Sequence, residues 1–91
     1  MSYVELRREA DGIALALNEL LAAPPSGDVA PVDPEDFRQM VWVGEAKLGT
    51  ETLCEQLEEN DVHLPPDIAA RIKQFGLRVG ADPQYLERIR S

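Results

Sequence analysis

Seven prolines punctuate this 91-residue chain, and they mark where helices must begin or stop. Asp33-Pro34-Glu35-Asp36 is a strong helix start, because Asp33 can cap, Pro34 suits the first helical position and the acids favour the positive end of the helix dipole. Asp82-Pro83 repeats the device, and Pro66-Asp67 opens another helix. Ala23-Pro24-Pro25-Ser26-Gly27-Asp28 ends the first helical stretch, and the segment at about 23–33, with three of the prolines, reads as a loop.

Apolar spacing fills in the elements between these breaks. Over residues 3–22, Leu6, Ala10, Ile13, Leu17 and Leu20 recur at alternating four and three, which predicts one helix with a single apolar seam. Gly12 inside it costs roughly 1 kcal/mol relative to Ala and is suited to the close approach of a neighbour. In the second helix Phe37, Met40 and Val41 face inward, Trp42 and Val43 lie near the end, and Gly44 stops it. A third helix covers about 46–60, with Leu53 and Leu57 on its buried side. Val62-His63-Leu64-Pro65-Pro66 is a connection. The fourth helix carries Ile68, Ile72, Phe75 and Val79 on one seam and stops at Gly80; a last short one holds Tyr85, Leu86 and Ile89. Met40-Val41-Trp42-Val43 has strand propensity, yet a lone strand would have nothing to pair with and no other run alternates with period two. The expected fold is all-α, a compact bundle of four to five short helices in a single domain over 1–91.

Charge narrows the partners. The net charge is −8, and it is uneven: residues 24–67 carry −9, residues 68–91 carry +3 and the first 23 residues carry −2. An acidic balance argues against general nucleic-acid binding, which rests on phosphate neutralisation by Lys and Arg. It favours attraction to a cationic protein surface. The single cysteine, Cys54, excludes an intrachain disulfide. The N-terminal residues lack the basic and apolar regions of a signal peptide, and no apolar run approaches the ~20 residues that span a bilayer. A cytoplasmic protein without membrane association is the expectation.

The acidic charge concentrates in Glu51, Glu55, Glu58, Glu59 and Asp61, on and just beyond the third helix, where Glu51, Glu55 and Glu58 follow the four-then-three spacing of an outward stripe. Like charges three and four apart cost an isolated helix about 0.2–0.5 kcal/mol per pair, so the stripe calls for a use, and a basic partner supplies one. Catalysis finds no constellation. His63 is the only histidine and has Asp61 nearby, but no nucleophile accompanies the pair. Cys54 sits among glutamates that disfavour a thiolate and reads as a small buried hydrophobe. The acids form no calcium loop, there is no Cys or His pair for zinc, and Gly44 and Gly49 belong to no phosphate-binding signature. No cofactor, metal or enzymatic activity is expected. Trp42 reads either as an interface anchor or as the largest core residue.

From Gly44 onward the order of features is similar to the MafI-type immunity proteins of bacterial polymorphic toxin systems. The resemblance runs through Gly44-Glu45, the phrase from Thr50 to Val62, and a helix of the form Ile68-x-x-x-Ile72-Lys73-x-Phe75-Gly76-x-x-Val79-Gly80, closing on Tyr85-Leu86-Glu87-Arg88-Ile89. The final helix of such proteins often carries a tryptophan, where Tyr85-Leu86 stands here. The resemblance implies a cytoplasmic protein that binds and neutralises a cognate toxin domain, without enzymatic activity. A monomer or weak homodimer is the expected free state. Glu51, Glu55, Glu58, Glu59 and Asp61 are then the expected contacts, with Trp42 as anchor. Two other readings stand beside it: a small DNA-binding regulator using residues 67–91, and a helical adaptor whose first helix pairs with another chain.

Overall fold

A computed structural model describes residues 2–21 and 31–91. It contains α1 (Tyr3–Leu20), α2 (Pro34–Trp42), α3 (Ala46–Glu59), α4 (Pro66–Val79) and α5 (Pro83–Leu86). Most of the loop expected at about 23–33 lies outside the described residues; Pro31, Val32 and Asp33 are non-helical. Among the described residues there is no strand, only an isolated bridge between His63 and Arg90, and Met40–Trp42 is helical.

The helix starts follow local chemistry. Asp33 accepts from the Asp36 N–H at 3.0 Å and Asp82 from the Gln84 N–H at 3.1 Å, each with proline in the next position. Ser2 caps α1 in the same way, accepting from the Glu5 N–H at 3.2 Å. The Ser2-Tyr3-Val4-Glu5 order is a capping-box pattern that a reading centred on proline passes over.

Three helices end alike. Glu45 N–H donates to the Met40 carbonyl, Val62 N–H to Leu57 and Ala81 N–H to Gly76, each closing a left-handed turn at the residue before the donor. Gly44 and Gly80 occupy two of those turns at φ of 89° and 80°. Asp61 occupies the third at φ 51°, a conformation in which Asp is tolerated better than most side chains.

The core lies between the helices. Ala10, Ile13 and Leu17 of α1, Phe37 and Val41 of α2, Leu53, Cys54 and Leu57 of α3, and Ala69, Ile72 and Phe75 of α4 are buried together. Phe37 and Phe75 meet edge to face, with centroids 5.7 Å apart. The α1 seam departs from expectation at its end: Leu20 is 42% exposed, and Leu21 packs against the core instead. Leu21 follows Leu17 by four, so the face drifts by one residue as the helix closes on the Leu21 N–H to Leu17 carbonyl bond. At Gly12 the expected close neighbour is the Arg71 guanidinium, held there by the Arg71 Nε–H donating to Glu9 Oε1 at 2.8 Å.

The last element is shorter than expected. Helix α5 is four residues long, and beyond it the chain turns so that Ile89 is buried and Leu64 N–H donates to the Arg90 carbonyl. Burial of Leu86 and Ile89, with the backbone bond to Leu64, fixes this segment across α3 and α4 rather than letting it continue as a helix.

Candidate functional site

The single outward stripe expected of Glu51, Glu55 and Glu58 does not form, because the C-terminal segment packs along one flank of α3 and draws two of the three acids to it. At 100° per residue, Glu51 and Glu58 lie on one flank, while Leu48, Thr52, Glu55 and Glu59 form the outward stripe. Glu51 Oε2 accepts from the Asp82 backbone N–H at 2.8 Å, and Glu58 faces the Arg88 guanidinium at 3.5 Å. Asp61, just past the helix, pairs with Arg90 and lies 3.5 Å from His63 Nε2. Three of the five acids therefore hold the basic C-terminal segment onto α3. Glu55 and Glu59 are exposed on the outer face.

These contacts also use two of the four arginines of residues 67–91. Arg88 faces Glu58 and lies over the Tyr85 ring, and Arg90 is bound to Asp61. Helix α5 is a single turn, so Arg88 and Arg90 lie beyond it rather than on a recognition helix, and of the two arginines on α4, Arg71 is paired with Glu9. The α1 seam is equally committed, since Ala10, Ile13 and Leu17 are fully buried.

The split has a measurable consequence. Glu51→Ala removes the acceptor for the Asp82 N–H and is expected to cost about 1–2 kcal/mol, less than the roughly 1.5–3 kcal/mol of a hydrogen bond to a charged group because the site is open to solvent. Glu55→Ala one turn away is expected to stay within about 0.5 kcal/mol of wild type. Urea denaturation followed by circular dichroism checks both, and equal effects would erase the distinction.

Trp42 is neither core nor bare surface. It is 41% exposed, and its indole Nε1–H donates to Asp11 Oδ1 of α1 at 2.9 Å. The Arg7 guanidinium lies 4.7 Å from the ring and 5.3 Å from the Tyr3 ring, and donates through Nη2 to the Trp42 carbonyl at 3.0 Å. Arg7 Nε is buried without a hydrogen-bond partner; the two π faces attract the cation where an acceptor would otherwise be needed. Arg38, 5.9 Å from the indole, makes a forked bond to Glu35 and lies 3.7 Å from Asp11. Its guanidinium, hydrogen-bonded to Glu35, holds that carboxyl below the usual carboxylate range. The indole is thus fixed in one orientation with part of its surface open to solvent.

Other apolar side chains on α1 and at the end of α2 are also open to solvent. Tyr3, Val4 and Val43 are exposed, and Tyr3, Leu6, Val41, Gly44, Ala46, Lys47 and Val79 line a shallow pocket of about 250 Å³. Tyr, Trp and Arg are the residues enriched in the energetic centres of protein interfaces. The Arg38–Trp42 spacing of four is readable in the sequence, whereas Arg7, Asp11 and Tyr3 come from a different helix and are brought in by packing alone.

Burial pushes the Cys54 thiol up to about 12, with Glu51 adding to the effect, so it is a poor nucleophile at neutral pH. The exposed His63 side chain lies beside Asp61, and no group of His, Cys, Asp and Glu among the described residues could hold a metal ion. No helix of the described residues is long and apolar enough to cross a membrane. Compared with known proteins, the chain matches no family model, no curated protein and no solved structure.

Proposed function

We propose that this chain is a protein-binding inhibitor that docks on a cognate bacterial toxin domain and neutralises it, with the Trp42 cluster as anchor and the acidic surface steering a basic partner into place. The observation that carries this reading is an indole held by Asp11, Arg7 and Arg38 yet 41% exposed. An aromatic ring already ordered before binding loses little freedom on association. The net charge of −8, with Glu55 and Glu59 on the outer face of α3, accelerates encounter with a cationic surface. Toxins that act on nucleic acid carry such surfaces, and an acidic protein that covers one competes with the phosphate backbone.

The experiment is capture from source-cell lysate with wild type and a folded Glu55→Gln/Glu59→Gln variant, followed by expression of the captured partner alone and together with this chain. A basic partner that stops growth alone and is harmless on co-expression supports the reading. Its association rate should fall steeply as salt rises, and less steeply for the variant. Recovery of nucleic acid, or of a partner whose effect on growth is unchanged by co-expression, overturns it.

A further inference from the structure

A second surface, sharing no residue with the Trp42 cluster, lies between α4 and α5. Lys73, Leu77, Pro83, Leu86 and Glu87 line a groove of about 240 Å³ there. Its floor exists because Gly76 leaves room for Leu86: a Cβ at position 76 would stand 2.4 Å from Leu86 Cδ2. Leu77 stands beside the groove and is 64% exposed, a large apolar side chain left in water next to an apolar recess.

We propose that this groove docks a second copy of the chain about a two-fold axis, with Leu77 of each copy seated in the groove of the other and Lys73 of each facing Glu87 of the other. A two-fold interface uses one patch twice, so that patch must complement itself. This one does so in shape, with a protruding leucine beside a recess able to take it, and in charge, with a cation and an anion lining one groove. Among the described residues neither Lys73 nor Glu87 takes part in an ion pair within the chain. This inference does not rest on the toxin-binding reading, which uses other residues.

Sedimentation velocity of the full chain between about 10 µM and 1 mM tests it, a range suited to weak association. The weight-average mass should rise from the 10.1 kDa monomer toward twice that value. Lys73→Glu and Glu87→Lys should each weaken association at least tenfold by placing like charges opposite one another, and the double variant should restore it. Leu77→Asp should leave a monomer throughout, with an unchanged thermal melt showing that the fold is intact. A wild-type monomer at every concentration overturns the proposal. So does a double reversal no better than either single change, since only reciprocal pairing predicts the rescue.

Discussion

Leu17→Asp is expected to leave most of the chain unfolded at 25 °C and neutral pH. Leu17 is fully buried in α1 within the central core. Losing its burial costs about 1.5–3 kcal/mol. The carboxylate must in addition be protonated or desolvated, and a fully buried acid shifts by about 3–5 pK units, worth about 4–7 kcal/mol. The total of roughly 6–10 kcal/mol compares with about 5–14 kcal/mol of stability for a domain of this length. Leu15→Asp, two residues away at 61% exposure, should change stability by no more than about 0.5 kcal/mol. Circular dichroism at 25 °C with urea titration separates the two. The sign of the pH dependence is diagnostic. The introduced carboxyl has its folded pKa raised, so the loss is largest above that value and shrinks as pH falls toward the unfolded pKa. Comparison with Leu17→Asn, which has no such titration, isolates the effect. A folded Leu17→Asp monomer that no longer associates with another chain would instead return weight to the adaptor reading.

Local signals account for what was legible in the sequence. Asp33, Pro34, Asp82 and Pro83 act within one turn of themselves, and Gly44 and Gly80 end helices by their own backbone freedom. Elements governed by such short-range chemistry, and by the seams through Ile13 and Phe75, fall where spacing places them. The misses are long-range. Leu21 replaces Leu20 because the seam must follow the neighbours it meets, and the final helix stops at Leu86 because Ile89 and the Arg90 backbone find partners in other elements. The acidic middle and the basic C-terminal segment were each visible as blocks of charge. Their mutual pairing through Glu58, Asp61, Arg88 and Arg90 depends on tertiary placement, and so do the arginine contacts around Trp42. Asp61 in a left-handed turn carries no glycine to announce it.

Trp42→Ala is expected to cost at least about 2 kcal/mol of affinity for the captured partner, roughly thirtyfold in Kd. The loss should lie chiefly in the dissociation rate, because an anchor acts after encounter. Glu55→Gln/Glu59→Gln should lower the association rate and flatten its salt dependence, with dissociation nearly unchanged. Trp42→Phe separates two contributions: it keeps an apolar ring for the partner and for Arg7 but removes the Nε1–H that donates to Asp11. If the ring's fixed orientation matters, Trp42→Phe falls between wild type and Trp42→Ala; if only its area matters, it binds nearly as well as wild type. Fold integrity can be verified independently, since the indole is 41% exposed and outside the buried core. Kinetics by surface plasmon resonance at two salt concentrations resolve these cases. Should Trp42→Ala bind within twofold of wild type while folded, the exposed indole would be a brace between α1 and α2, and the contact would have to be sought on the outer face of α3.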